Sequence, residues 1–371
     1  MNSVQQRLVN QLMVREREGT LRFLPKTLNG IDFYSNDYLG FARNVELQER
    51  LHDLLRQYPH SVKGATGSRL ISGNSVITME IEEFIAKEHG VDAALLLPSG
   101  FVGNLSLFSV LPQKGDTILL DEKIHRSVID GCRLSPAKRW KFKHNNLNHL
   151  EELIQRSSGQ IWIGVESLYS MDGDFAPLSE LVRLAHKYSA ALIVDEAHAI
   201  GTFGLGLLNK FGLQNQVFAS LVTYGKAMGH SGAAILGSKV LIEYLINYAS
   251  AFIYSTALSD FHALAIKESY LFLKNNKLII NGLMGNVDYF NSLIISDELH
   301  RDSPIKPIKF KDLKKLQQAN ETLLERGFLN CGIKAPTVRE GEERIRICLH
   351  AFNSKEEINL LGDILKEIMH E

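Results

Sequence analysis

The stretch AALIVDEAHAIG, residues 190–201, decides the fold. Five apolar residues run unbroken into Asp195 and Glu196, and His198 follows three positions after Asp195. A short continuous apolar run marks a strand buried on both faces of a parallel sheet. A polar cluster directly after it then lies at the C-terminal edge of that sheet, where open α/β folds bind their ligands. The next run, SLVTYGKAMGHSGAAILG at 220–237, carries Lys226 in the same relation to its strand. An acid, an imidazole and a lone lysine at neighbouring strand ends suit an aldehyde cofactor with a ring nitrogen. The acid keeps that nitrogen protonated and the lysine tethers the aldehyde. Singly, an acid at a strand end also serves as a helix cap, and a lysine in a glycine-rich loop is also simply solvated; the constellation selects the chemistry.

Working outward, the same kind of run recurs in AALLLP (93–98), TILLDE (117–122), QIWIGVES (160–167), AALIVDE (190–196), ASLVTY (219–224) and GAAILG (232–237). Helical patterns lie between them, as in LSELVRLAHKYS, where Leu178, Leu181, Val182 and Ala185 recur at helical spacing. Alternation of this kind predicts an α/β fold with a mostly parallel sheet covered by helices. Upstream, IDFYSNDYLGFA (31–42) reads as a short strand and turn, and residues 64–90 as a glycine-rich loop entering a helix. Downstream of about residue 265, helical patterns surround KPIKF and RIRICLH, strands of a smaller α/β domain, while Asn, Gly and Asp clusters over 275–305 read as loops. Val4, Leu8, Leu12 and Val14 predict an amphipathic N-terminal helix that packs on the body or on a partner subunit.

The 371 residues suffice for a large core and two domains. With 45% hydrophobic and 22% charged residues the composition is that of a soluble globular protein. A balance of 41 basic against 42 acidic residues gives no electrostatic case for nucleic acid or an anionic membrane, so small-molecule chemistry is expected. No stretch approaches the roughly 18 apolar residues of a membrane span, and the N-terminus lacks a secretory apolar core. Cys132, Cys331 and Cys348 are scattered and odd in number. They suggest neither a metal site nor a disulfide framework, and they fit the cytoplasm.

Pyridoxal phosphate (PLP) is the cofactor these residues call for. Buried near its cationic ring, Lys226 would lose solvation and tend toward the neutral amine. His198 is placed to reach the phenolic oxygen. Ser99, Gly100 and Phe101, in LLLPSGFVGN, occupy a strand-to-helix turn whose free N–H groups favour a phosphate. Thr223 and the Ser255–Thr256 pair supply further hydroxyls. His125, at the end of a DEKIHRSV strand, could stack on the ring, and Ser170 could bond the phenolic oxygen or His198. Asn36, with Asp37 and Tyr38, is expected at the substrate mouth. In RIRICLH, Arg346 and Arg344 share one strand face; either guanidinium suits bidentate capture of an amino-acid carboxylate. GLGLLN at 204–209 lacks the third glycine of a dinucleotide fingerprint, and Ala227 after Gly-Lys rules out a phosphate-binding P-loop.

The segments SNDYLG, GSRLISGN, PSGF, DEKIHRSVIDG, SMDGDFAPL, VDEAHAIGTFG, TYGKAMG, IYSTALS and RIRI occur in this order over nearly the whole chain. Together they resemble the α-oxoamine synthases, PLP enzymes of the aspartate-aminotransferase fold (fold type I). The resemblance implies a seven-stranded, mostly parallel sheet. It implies an N-terminal arm over 1–45, a large PLP-binding domain over 46–265 and a small C-terminal domain over 266–371. It further implies Lys226 as the Schiff-base lysine and Asp195 at the pyridine nitrogen, with His125 stacked on the ring. His198 and Ser170 would meet the phenolic oxygen, and Thr223 the phosphate. Ser255 and Thr256 would reach the phosphate of the neighbouring subunit, hence a homodimer. HSGAAILG and FIYSTALS are nearest the branch that condenses a pimeloyl thioester, on CoA or acyl carrier protein, with L-alanine; Arg22 would then meet the acyl substrate. The alternative is glycine C-acetyltransferase or another acyl-CoA:amino acid condensation. Ser259–Asp260 stands where the family usually has two prolines.

Overall fold

The computed structural model describes residues 2–24, 29–296, 299–335 and 337–370. Seven strands form the main sheet: β1 (Ala93–Leu97), β2 (Thr117–Asp121), β3 (Lys138–Phe142), β4 (Ile161–Glu166), β5 (Ala191–Asp195), β6 (Ala219–Thr223) and β7 (Ala233–Gly237). Their order is β1-β7-β6-β5-β4-β2-β3. Only β7 runs antiparallel to its neighbours. Every residue of β2, β5 and β6 is buried, as their unbroken apolar runs require. The strand that sequence patterning does not pick out is β3, KRWKF. It lies at the sheet edge, where exposed Lys138, Arg139 and Lys141 oppose pairing with another chain.

A second sheet of β8 (Ile305–Lys309), β9 (Cys331–Ile333) and β10 (Arg344–Cys348) is antiparallel, in the order β8-β10-β9. Around the sheets lie α1 (Ser3–Arg17), α2 (Gly100–Val110), α3 (Arg126–Leu134), α4 (Asp260–Asn275), α5 (Leu278–Leu293) and α6 (Lys355–His370), among other helices. One expectation needs correction. Much of 275–305 is helix rather than loop: Leu283, Val287 and Phe290 bury one face of α5, which packs on α6, and tertiary burial overrides its Asn and Gly residues. The N-terminal helix forms, with a capping box at Asn2 and Gln5, but it does not pack on the body. None of its residues is buried, and Val4, Leu8 and Leu12 remain about half exposed. No helix among the described residues is long and apolar enough to cross a membrane.

Candidate active site

β4 and β5 run side by side in register, so Glu166 at the end of one lies opposite Asp195 at the end of the other. Asp195 is buried; its Oδ2 accepts from Asn104 Nδ2 at 2.7 Å and its Oδ1 from the Ala197 N–H at 2.9 Å. Asn104, on α2, also donates to the Ser127 hydroxyl at 2.9 Å, and that hydroxyl meets His125 Nδ1 at 2.8 Å. A continuous chain of bonds therefore holds acid and imidazole in fixed relation. His125 is not at a strand end, as the sequence suggested. β2 stops at Asp121, whose carboxylate accepts the Lys123 N–H at 2.9 Å and turns the chain, and His125 is the N-cap of α3. Of the two acids in VDEAH, Glu196 serves the fold: it accepts the Leu207 N–H at 2.8 Å and the Leu208 N–H at 3.2 Å.

Lys226 sits in the turn between β6 and β7, closed by Gly229 N–H to the Lys226 carbonyl (2.9 Å) and His230 N–H to the Tyr224 carbonyl (2.7 Å). Gly229 has φ of 74°, and a Cβ there would come within 2.8 Å of the Ala42 nitrogen, so this turn requires glycine. Burial lowers the Lys226 amine to about 8, against the opposing pull of Asp195 and Glu166. Burial, helped by Asp195, pushes the Glu166 carboxyl up to about 8. Glu166 Oε2 accepts the Ser170 N–H at 3.3 Å, whereas its buried Oε1 has no hydrogen-bond partner among the described residues. His198 is held well below its ordinary value by burial and then by the cations Lys226 and Arg346, so it is neutral. His125 is also shifted down, by burial and by Lys226.

The two arginines of β10 part company. Arg344 is consumed: its Nη1 pairs with Asp172, which Lys123 also contacts at 3.1 Å, and its Nε donates to the Glu342 carbonyl at 2.9 Å. Arg346 faces the cluster. Its Nε donates to the Ser170 carbonyl at 2.6 Å, and its Nη2 donates to Asn36 Oδ1 at 2.9 Å and to the Tyr38 hydroxyl at 3.0 Å. Its Nη1 makes no hydrogen bond among the described residues and is available for a carboxylate. Asn36 and Ser170 are thus brought to Arg346, although the contacts of Ser170 run through its backbone.

Ser99 is the N-cap of α2, its Oγ accepting the Val102 N–H at 3.3 Å. A Cβ on Gly100 would lie 2.5 Å from Thr223 Cγ2, so only glycine lets the helix start approach the end of β6 this closely. The first N–H groups of α2, on Gly100 and Phe101, have no intrahelical acceptor and could hold an anion. An amine, a buried acid, an imidazole in the same bonded chain and a helix N-terminus could together hold PLP. Other expected residues stand apart. Ser255 and Thr256 line a crevice with Arg69, Thr78 and Phe252, and Arg22 is exposed and donates to Thr337 Oγ1 at 3.3 Å. Glu166, Asn104 and Ser127 escape a reading of the sequence. Glu166 carried a usable signal, because it ends a buried run just as Asp195 does; Asn104 and Ser127 carried none.

The sequence model of the class I and II aminotransferases matches residues 29–364. An 8-amino-7-oxononanoate synthase of Fervidobacterium nodosum is 35% identical over 350 residues, covering 91% of this chain and 88% of that protein. The crystal structure of 8-amino-7-oxononanoate synthase from Francisella tularensis superposes with a TM-score of 0.77 at 29% identity, covering 92% of this chain and 98% of that one. A serine palmitoyltransferase from S. paucimobilis, with PLP bound, shares the fold at a TM-score of 0.89 and 21% identity, over 100% of this chain and 99% of the other. On these grounds the chain belongs to the class I and II aminotransferase family and, within it, to the α-oxoamine synthases.

Proposed function

We propose that this chain condenses a pimeloyl thioester with L-alanine, releasing carbon dioxide and the free thiol and forming 8-amino-7-oxononanoate, a step of biotin biosynthesis. The observation that carries this reading is the amine of Lys226, lowered to about 8 within a cluster that also contains Asp195 and an Arg346 with an uncommitted Nη1. Relatives 35% identical over most of the chain support the choice of reaction.

Lys226, Asp195, His125, His198 and the α2 N-terminus with Ser99, Gly100, Phe101 and Thr223 would hold PLP. Bound there, PLP supplies an electron sink for negative charge at the substrate α-carbon. Arg346 grips the alanine carboxylate through Nη1. Lys226, with its neutral form made accessible by burial, takes the α-proton at Nζ. The α-carbon then bonds to the acyl carbonyl carbon and the thiolate leaves. The carboxylate departs as carbon dioxide, and a proton from Lys226 takes its place. Asn36 and Ser170 steady Arg346. Arg22 would meet the acyl substrate, and His198 stabilises negative charge on oxygen.

The proposal includes a homodimer: α1 buries none of its residues, and no hydrogen bond among the described residues joins Ser255 or Thr256 to the Lys226 cluster. The arm to residue 45, the cofactor domain over 46–265 and the C-terminal domain over 266–371 are its working units, with α4 crossing the second boundary. The free thiols of Cys132, Cys331 and Cys348 support a cytoplasmic location. The test is a matrix of thiol and carbon dioxide release with L-alanine, glycine and L-serine against pimeloyl and acetyl thioesters. Release with L-alanine and the pimeloyl thioester is expected. Preference for glycine with the acetyl thioester, or amino transfer to a 2-oxo acid without carbon dioxide, would overturn it.

A further inference from the structure

The Tyr38 side chain is fully buried between the two halves of the site. Its hydroxyl lies 2.8 Å from His198 Nδ1, 3.0 Å from Arg346 Nη2 and 3.2 Å from Asn36 Oδ1. A phenol has one proton to give, and burial keeps that proton in place by raising its pKa far above the ordinary tyrosine value. The two protons of Arg346 Nη2 are taken by Asn36 Oδ1, at 2.9 Å, and by the Tyr38 oxygen. The Tyr38 proton therefore chooses between Asn36 Oδ1, which already accepts one charge-assisted bond and lies at long range for an O–H donor, and His198 Nδ1 at ordinary hydrogen-bond length. The cation on one side of the phenol oxygen favours donation away from it, toward the imidazole.

We infer that Tyr38 is a positioning residue: its hydroxyl donates to His198 Nδ1 and so fixes that histidine as the tautomer carrying its proton on Nε2. Among the described residues Nε2 makes no hydrogen bond, so the donor is kept for a ligand. The same hydroxyl restrains Arg346 Nη2 and leaves Nη1 for a carboxylate, so one phenol orients both the oxygen-facing imidazole and the carboxylate-gripping guanidinium. The opposite tautomer would present a lone pair to the phenolic oxygen of PLP and repel it. This role toward PLP and amino acid rests on the proposed function; the tautomer does not.

The test is nitrogen NMR of the full-length protein, free of cofactor and labelled at its 13 histidines. The His198 signals are identified by their absence from a His198→Gln spectrum. A bare Nδ1 with a protonated Nε2 is expected, and a protonated Nδ1 overturns the inference whether or not the Tyr38 variant folds. In Tyr38→Phe, which keeps the ring and its packing, the His198 pattern should move toward the other tautomer. The KM for L-alanine should rise about tenfold, with the thioester KM unchanged. An unchanged His198 pattern in that variant also overturns the inference. Because the tautomer is read without cofactor or turnover, failure of the proposed reaction would leave this result standing and is told apart from it.

Discussion

At the end of β2, buried Asp121 meets His144 Nδ1 at 2.8 Å and accepts the Asn145 N–H at 2.9 Å, while Asp174 bonds His144 Nε2 and the Asn145 amide. At the end of β5, Asp195 is likewise bonded, and Glu166 keeps one oxygen without a partner among the described residues, as Asp174 does in the first cluster, while Arg346 keeps a nitrogen uncommitted. Both assemblies combine acids with imidazole at the same edge of one sheet. They differ in how charge is balanced. In the first, burial pulls His144 down but hydrogen bonds to Asp121 and Asp174 outweigh it and raise the imidazole to about 9, so a cation sits between two carboxylates. In the second, burial wins: Lys226 falls to about 8, His198 falls well below its ordinary value and Glu166 rises to about 8. The first is a charge-balanced clasp, although Asp174 Oδ1 stays buried without a partner among the described residues. The second shifts its lysine, its histidine and Glu166 toward their neutral forms, the pattern of a ligand-binding cluster.

The sharpest way to break this comparison is to truncate one member of each cluster. Lys226→Ala should lower thiol release by roughly 10,000-fold and abolish borohydride fixation of PLP, without lowering the melting temperature, because the half-buried amine is held there at a cost. His144→Gln should do the reverse. The folded-state pKa of His144 lies above its unfolded value near 6.5, so its stabilisation is fully present below about pH 6.5 and is lost as pH rises through about 9. That interval corresponds to about 3 kcal/mol at most. Denaturant unfolding should therefore show the wild type losing this margin between pH 6.5 and 9, while the variant lacks it throughout and keeps turnover within about tenfold. A pH-independent difference between the two proteins would mean that His144 is held by packing rather than by charge.

Legibility from sequence follows the same division. Asp195, Lys226 and Thr223 could be placed because each lies in or just beyond a buried strand, and a run such as ALIVD declares both its burial and its C-terminal end. The edge strand KRWKF could not, since its solvent-facing charges break the apolar pattern. Helix α5 was hidden because Asn281, Gly282 and Gly285, judged locally, spell a loop; they sit within a helix whose burial is decided by α6, more than 60 residues away in the chain. The choice between Arg344 and Arg346 was closed to periodicity, which puts both on one face; only the position of Asp172 settles it. Asn104 is joined to the cluster across 91 positions of chain, which no local pattern encodes; Tyr38 was expected at the substrate mouth, but its bond to His198, across 160 positions, was not legible.

The smallest effect is the most discriminating, because Glu166 belongs to the open cluster without being a candidate to touch substrate. Its folded pKa is raised, so its contribution is favourable below about pH 4.5 and is lost as pH rises through about 8, where a buried carboxylate must ionise beside Asp195. Glu166→Gln removes that penalty while keeping the shape and the acceptor for the Ser170 N–H. At pH 9 the variant should be more stable than the wild type, on the order of 1 kcal/mol, and at about pH 4 no more stable. Glu166 also holds the Lys226 amine up, so its loss should move the midpoint of PLP capture by cofactor-free protein below about pH 8, because capture requires the neutral amine. If stability at pH 9 fell and the capture midpoint stayed in place, Glu166 would be an ordinary bonded carboxylate, and the contrast between a closed and an open cluster would no longer hold at the end of β4.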